Sequence, residues 1–301
     1  MTTKFLLDSG DPQEYRQMKD LLATHGSELW GSTTNPSLIA KKLTGQKVSF
    51  DDAFSKLQRQ IIEEILTIVP GAVSGEVYAA KNTTADSMVE QGRQIASWGE
   101  RVVVKLPTTL EAFKARTQLR QLGICINNTL VFSQQQVFAI TLHEKLMNEQ
   151  YGKSKSSWPS FISPFVGRLD DIGEYGMDMV THSVNLVKTH FTPDTVWMLE
   201  ASIRTAAHLK KGLEINVELE TVPAKVLTEW FGKTTVEQQT VDTSNTVLQP
   251  IPAWTPSEEL LKIKTVDEFM SAITTGKLDI THPLTDKGID RFVADWSAII
   301  A

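Results

Sequence analysis

The chain has 301 residues, of which 41% are hydrophobic and 22% are charged, and its formal net charge at pH 7 is −6. This composition is ordinary for a globular protein, and the negative charge argues against a general affinity for nucleic acid or for anionic membranes. The single cysteine, Cys125, excludes a disulfide within the chain and is typical of a reducing compartment. Neither a signal peptide nor an apolar run of membrane-spanning length is recognised, so we expect a cytoplasmic protein.

Short strand-like runs alternate with longer helix-like segments along most of the chain. The strand candidates are residues 5–7, 29–32, 72–77, 102–106, 124–130, 161–163, 196–201 and 215–222. Helical spacing or helix-starting residues mark 12–25, a segment that begins at Pro36, 50–68, 86–98, 110–122 and 133–148. Eight strand candidates in this alternating order predict an α/β fold, a (β/α)8 TIM barrel with parallel strands.

The last part of the chain departs from this alternation. Residues 234–254 have low periodicity and are predicted as a loop or linker, whereas 257–274 and 285–299 are predicted as helices outside the barrel. The polar residues 151–158 are predicted as a surface insertion. We therefore expect a single TIM-barrel domain over residues 1–301, with about 235–301 as a C-terminal helical extension packed on the barrel.

Lys105 interrupts the Val-rich run at 102–106, which is typical of a strand buried on both faces of a parallel sheet. Lysine is rarely buried without a partner or a task, because removal from water disfavours its charged form. A neutral amine on a barrel strand is the group that forms a Schiff base with a carbonyl substrate. The alternative interpretation is a lysine that reaches solvent or pairs with a carboxylate.

Polar residues accompany the carboxyl ends of the predicted strands, where a (β/α)8 barrel carries its chemistry. They are Asp8, Thr33, Asn35, Glu76, Lys105, Asn127, Thr129, Ser163, Arg168, Ser202 and Arg204. Together they supply an amine, two carboxylates, hydroxyl and amide groups and two guanidinium groups. That set suits a hydroxylated keto substrate that bears a phosphate. No close spacing of His, Asp and Glu points to a metal site.

Six motifs contain most of these residues. They are TTNPSL at 33–38, VSGEV at 73–77, VKLP at 104–107, GICINNTLVFS at 123–133, ISPFVGRL at 162–169 and ASIR at 201–204. In this order they resemble the transaldolase family of Schiff-base aldolases, over roughly residues 4–230. The resemblance implies an enzyme of sugar phosphates that uses no cofactor, and it leaves a homo-oligomer open.

The resemblance also implies a role for each matching residue. Lys105 would form the Schiff base with the ketose, Asp8 would take the proton of the C4 hydroxyl, and Glu76 and Thr129 would hold the water that shuttles protons. The groups implied for substrate binding are Arg168, Ser202 and Arg204 for the phosphate, Thr33, Asn35, Asn127 and Ser163 for the dihydroxyacetone hydroxyls, and Phe165 as an apolar ring beside the iminium.

The implied reaction is transfer of dihydroxyacetone in the pentose phosphate pathway. The donor would be sedoheptulose 7-phosphate or fructose 6-phosphate, and the acceptor glyceraldehyde 3-phosphate or erythrose 4-phosphate. One alternative is a fructose-6-phosphate aldolase, which releases dihydroxyacetone. Such aldolases usually carry glutamine at the position of Glu76 and tyrosine at that of Phe165, although residues 282–296 resemble tails of the aldolase-like branch. A non-catalytic sugar-phosphate-binding barrel is a further alternative, and it would be expected to lack the lysine or the base.

Overall fold

In the computed structural model, which describes residues 2–43, 47–232 and 247–301, eight parallel strands close into a barrel in chain order. The strands are β1 Lys4–Asp8, β2 Leu29–Thr33, β3 Val73–Glu76, β4 Val102–Pro107, β5 Ile126–Val131, β6 Ser160–Pro164, β7 Val196–Glu200 and β8 Leu219–Val222. Each strand pairs with the next, and β8 pairs with β1. The prediction of a (β/α)8 barrel is confirmed.

Helices lie on the outside of the barrel, where the first nine lie between strands in the chain and the last four follow β8. They are α1 Pro12–Thr24, α2 Pro36–Ala40, α3 Arg59–Leu66, α4 Ala85–Ala96, α5 Leu110–Gln121, α6 Gln134–Tyr151, α7 Val166–Asp170, α8 Gly176–His190, α9 Ala206–Ile215, α10 Ala224–Phe231, α11 Glu258–Leu261, α12 Val266–Thr274 and α13 Pro283–Ser297. A π-helix, Asp52–Gln58, leads into α3, and a 3-10 turn, Lys41–Leu43, follows α2. Thr84, Thr109 and Thr205 cap their helices with side chains that accept backbone N–H bonds.

Three predicted elements differ from the structure by more than one or two residues at their ends. The helix predicted at 50–68 is divided between the π-helix and α3. The helix predicted at 257–274 is two helices, because Thr265 and Glu268 form a capping box that starts α12. Strand β8 begins later than residue 215, because α9 continues to that position and Asn216 then ends it in the left-handed conformation, with φ of 56°.

The chain after α10 returns to the barrel. Residues 247–254 form neither helix nor strand apart from a one-residue bridge, and the rest of the predicted loop, 234–246, lies outside the described residues. Helix α13 packs on α2 and β5, and the Thr285 hydroxyl donates to the Leu130 carbonyl at 2.9 Å. Helix α12 packs on α6. The division into one barrel domain and an extension over about 235–301 stays a prediction.

Aromatic rings fill the amino-terminal end of the barrel. The ring centroid of Trp30, near the start of β2, lies 5.2 Å from that of Trp158 and 6.2 Å from that of Trp197. Trp197 in turn stacks on Phe161 with centroids 6.1 Å apart. The Lys4 ammonium lies 5.3 Å from the Trp30 ring. This end of the barrel is therefore packed core, as is usual for the fold.

Two glutamates lie between β7 and β8 on the side that faces α9. Glu200 and Glu220 are register partners, both are fully buried, and neither carboxylate has a hydrogen-bond partner within the described part of the protein. A Cβ atom on Gly212 would lie 2.2 Å from Glu200 Oε2 and 2.3 Å from Glu220 Oε1, so both carboxylates lie directly beside Gly212. Burial raises the pKa of both carboxyls, and the charge of Asp170 beside Glu200 and of Glu200 beside Glu220 adds to the effect.

We expect Glu220→Gln to stabilise the protein, and to do so most at alkaline pH. Because the folded pKa of Glu220 is raised, its contribution to stability is largest below the ordinary glutamate pKa and is lost as the pH rises. The glutamine amide carries no charge at any of these pH values, so this loss of stability does not occur. We expect the free energy of unfolding to rise by about 1–3 kcal/mol near pH 8. Thermal unfolding at about pH 5 and about pH 8 measures the gain. Glu214→Gln on the exposed face of α9 is the matched control, and an equal gain at both pH values contradicts the assignment.

Candidate active site

A pocket of about 210 Å³ opens at the carboxyl-terminal end of the barrel. Its lining is Asp8, Thr33, Asn35, Ser37, Leu38, Lys41, Lys105, Ser163, Phe165, Arg168, Ala201, Ser202, Arg204, Thr221, Arg291 and Phe292. Nine of the twelve predicted site residues are in this lining, and the three that are not are Glu76, Asn127 and Thr129. The strand ends therefore bring most of the predicted groups to one place.

Lys105 lies on β4, whose residues are all buried, and its amine reaches the pocket. The Nζ atom forms an ion pair with Glu76 Oε2 at 3.0 Å and donates to the Thr34 carbonyl at 3.1 Å. Both side chains of the ion pair are 4% exposed, so this pair is screened little by solvent. An ammonium has three N–H donors, which leaves the third for the pocket.

Asp8, at the end of β1, is held by two threonines. The Thr33 hydroxyl donates to Asp8 Oδ1 at 2.8 Å, and the Thr221 hydroxyl lies 2.5 Å from that of Thr33. Because Thr33 gives its one proton to Asp8, Thr221 is the donor to Thr33. Burial raises the pKa of Asp8, although the positive charge of Lys105 and the bond from Thr33 act against it. The carboxylate therefore holds a proton more readily than an exposed aspartate does.

The three predicted residues outside the pocket lining are all buried. Glu76 is the register partner of Lys105, and burial raises the pKa of Glu76 against the attraction of the lysine. Asn127 accepts a hydrogen bond from the Ser163 hydroxyl at 2.7 Å, so it touches the pocket through that serine. The buried hydroxyl of Thr129 has no hydrogen-bond partner among the described residues.

The oxygen and the nitrogen of the Asn35 side-chain amide have different roles. Its Oδ1 accepts the backbone N–H of Leu38 at 3.0 Å and so caps α2, with Pro36 in the first turn. The Asn35 amide nitrogen is the group that remains for a ligand. One side chain thus starts the helix and offers a donor at the barrel mouth.

Arg168 lies between two phenyl rings at the edge of the pocket. Its guanidinium carbon is 5.3 Å from the Phe165 ring centroid and 5.6 Å from that of Phe292. Burial lowers the pKa of Arg168, and the positive charges of Arg291 and Arg204 lower it further. Three guanidinium groups at one edge of a pocket create a positive potential there, which favours an anion over a neutral or positive group.

The sequence did not indicate seven of the lining residues, which are Ser37, Leu38, Lys41, Ala201, Thr221, Arg291 and Phe292. Thr221 follows the same rule as the predicted strand-end residues, so its signal was present in strand β8. Arg291 and Phe292 come from α13, and only the packing of that helix brings them to the barrel mouth.

The described residues contain neither a candidate metal-binding cluster nor a candidate membrane-spanning helix. Within residues 2–43, 47–232 and 247–301, no group of three or more His, Cys, Asp or Glu side chains is placed to hold a metal ion. No helix in those ranges is long and apolar enough to cross a bilayer.

The sequence is similar to one family model and to several named proteins. The family model described as "Transaldolase/Fructose-6-phosphate aldolase" matches residues 5–301. A protein named "probable transaldolase" from Herpetosiphon aurantiacus is 31% identical over 98% of this chain and 96% of its own length. Proteins of the same name from Thermoplasma volcanium and Shouchella clausii are 30% and 29% identical, over 98% of this chain and over 96% and 97% of their own lengths.

Proposed function

The chain belongs to the transaldolase/fructose-6-phosphate aldolase family, and from this premise we propose that it is a transaldolase that works through a Schiff base on Lys105. The observation that carries the proposal is the buried Lys105 amine, which contacts Glu76 and reaches a pocket that also holds Asp8 and three arginines. The donor in this proposal is sedoheptulose 7-phosphate or fructose 6-phosphate. The acceptor is glyceraldehyde 3-phosphate or erythrose 4-phosphate. The proposal includes no cofactor, a place in the pentose phosphate pathway and a cytoplasmic site of action.

The first chemical step forms the Schiff base. The neutral Lys105 amine adds to the ketose carbonyl carbon, and the carbinolamine loses water to give an iminium. Proton transfer in this step falls to Glu76, which lies 3.0 Å from Nζ and whose pKa burial raises. The Thr129 hydroxyl, which has no partner in the described protein, is proposed to hold the transferred water together with Glu76.

The second step breaks the bond between C3 and C4. Asp8 takes the proton of the C4 hydroxyl, the hydroxyl oxygen becomes the aldehyde oxygen, and the bonding electrons move into the iminium to give an enamine. The aldose phosphate then leaves. Addition of the acceptor aldehyde runs the same step in reverse, and hydrolysis frees Lys105. The raised pKa of Asp8 suits a group that accepts and returns one proton.

The proposed substrate contacts divide between the two ends of the sugar. The phosphate is assigned to Arg168, Ser202 and Arg204, with Arg291 added because it lines the same edge. The dihydroxyacetone hydroxyls are assigned to Thr33, Asn35 and Ser163, and Asn127 acts by holding Ser163.

Acceptor dependence tests the proposal directly. We expect fructose 6-phosphate to be consumed only when erythrose 4-phosphate is added, and borohydride to trap the substrate on the enzyme. A fructose-6-phosphate aldolase would consume the sugar and release dihydroxyacetone without an acceptor. A non-catalytic barrel would give no trapped adduct at all.

We expect Phe165→Tyr combined with Glu76→Gln to shift the enzyme toward release of dihydroxyacetone. The phenol adds a donor and acceptor that can organise a water molecule at the iminium, which a phenyl ring cannot do. The measurement is dihydroxyacetone formed from fructose 6-phosphate without acceptor, for wild type, each single variant and the double variant. If wild type already releases it at the rate of acceptor-dependent transfer, the chain is an aldolase.

A further inference from the structure

The forked edge of the Arg204 guanidinium is already occupied by a carboxylate. Nη1 and Nη2 donate to Oδ1 and Oδ2 of Asp171, and the second of these contacts is 2.6 Å long. The two side chains are 46% and 50% exposed, so the pair borders the open pocket rather than the core. Two parallel bonds from an arginine to a carboxylate reproduce the arrangement with which arginine binds a phosphate.

The rest of Arg204 is fixed by the backbone around it. A Cβ atom on Gly167 would lie 2.7 Å from Arg204 Nε and 2.8 Å from Arg204 Cδ, so the stem and the Nε edge lie against α7. The Arg204 backbone N–H donates to His208 Nδ1 at 3.3 Å, and His208 Nε2 lies 2.7 Å from Asp170 Oδ2. Because Nδ1 accepts, Nε2 carries the proton and donates to Asp170. The Nη1 and Nη2 donors that now bind Asp171 are therefore the main donors that Arg204 has for an anion.

Arg168 provides the contrast within the same pocket. Its guanidinium lies between two phenyl rings and forms no hydrogen bond or ion pair within the ranges that the structure describes. Its donors do not have to leave another partner before they bind an anion. Before a phosphate binds, the Arg204 guanidinium is therefore bonded to Asp171, whereas the Arg168 guanidinium has no such bond among the described residues.

We propose that Asp171 is an internal competitor for the substrate phosphate, which occupies Arg204 in the unliganded enzyme and lowers the affinity of the site for phosphorylated ligands. The identity of the ligand rests on the proposed function. A phosphate must share or displace the Asp171 carboxylate, and the two negative charges then repel each other at the pocket edge. This repulsion lowers the affinity for every phosphorylated substrate and product, and it does not affect the affinity for an unphosphorylated sugar.

Asp171→Asn keeps the shape of the side chain and one acceptor oxygen but removes the charge. We expect this variant to bind inorganic phosphate about three- to fivefold more tightly by calorimetry, a size set by the modest strength of exposed ion pairs. The KM for fructose 6-phosphate is expected to fall by a similar factor, whereas the KM for fructose stays the same. Glu174→Gln removes the same charge from the same loop without contacting an arginine in the described residues, and is expected to change neither value by more than twofold or so.

A double-mutant cycle with Arg204→Ala tests whether Asp171 acts through that arginine. In the Arg204→Ala background, Asp171→Asn is expected to change phosphate binding no more than Glu174→Gln does. Weaker phosphate binding in Asp171→Asn, no change, or an equal gain with and without Arg204 would each overturn the proposal. Calorimetry with inorganic phosphate needs no turnover, so its result stands even if the enzyme forms no Schiff base with fructose 6-phosphate.

Discussion

Lys105→Met is expected to abolish turnover and the borohydride-trapped adduct together. Methionine fills a similar volume on β4 but has no amine, so neither the carbinolamine nor the iminium can form. Loss of a covalent nucleophile removes on the order of four or more orders of magnitude of rate. The measurements are acceptor-dependent consumption of fructose 6-phosphate and mass spectrometry of the enzyme after borohydride. A trapped substrate in this variant would place the Schiff base on another lysine.

The same substitution leaves Glu76 without the cation at 3.0 Å. Removal of one partner from a buried ion pair costs about 3–5 kcal/mol when the other stays charged. Burial already raises the pKa of Glu76, so we expect the carboxyl to take up a proton instead. The variant should then be most stable at acidic pH and lose stability as the pH rises. Lys105→Met with Glu76→Gln is the control, because it should regain stability at alkaline pH without regaining activity.

Asp8→Asn is expected to slow turnover by about 10²–10⁴-fold, which is the usual contribution of a general base. The asparagine can still accept the hydrogen bond from Thr33 but cannot remove the proton of the C4 hydroxyl. Schiff-base formation precedes that step, so the trapped adduct should persist while transfer fails. Loss of the adduct along with turnover would show that Asp8 acts earlier than we propose. Asp20→Asn on the exposed face of α1 is the matched control and should change neither reading.

The pKa of Asp8 adds a stability readout to this variant. Because burial raises the pKa, the contribution of Asp8 to stability is full below the ordinary aspartate pKa, where the carboxyl is protonated, and it is lost as the pH rises and the buried carboxyl ionises. Asp8→Asn should therefore unfold at a higher temperature than wild type near pH 8, despite its loss of activity. In wild type, kcat/KM should fall on the acid side at a pH above the ordinary aspartate pKa. A lower unfolding temperature near pH 8 would contradict this account.

The barrel and the residues on its strand ends were predictable from the sequence because of one geometric rule. Parallel strands in a closed barrel all end on the same side, so polar residues at those ends must meet. This placed Asp8, Thr33, Lys105 and Ser163 at one pocket. Glu76 and Asn127 follow the same rule, because they are the register partners of Lys105 on β3 and β5, although neither is in the pocket lining.

The contribution of α13 was not predictable in the same way. The sequence predicted a helix at 285–299 in an extension packed on the barrel, but it did not indicate which part of the barrel that helix covers. The structure places Gly288 so close to the barrel that a Cβ atom would lie 2.6 Å from the Leu130 side chain and 2.8 Å from Arg168 Nη1. That contact positions Arg291 and Phe292 at the pocket. Contacts between residues far apart in the chain carry no local sequence signal.

The aromatic cluster at the amino-terminal end of the barrel decides what optical spectroscopy can report. Trp30, Trp158 and Trp197 lie within a few ångströms of one another there, and none of the chain's seven tryptophans is in the described lining of the pocket. The fluorescence of these three tryptophans reports the closure of the strands at the end of the barrel opposite the pocket. Emission from these three tryptophans and activity in a denaturant titration therefore observe opposite ends of the barrel. Loss of activity at a lower denaturant concentration than loss of this emission would mean that the pocket end opens before the amino-terminal end.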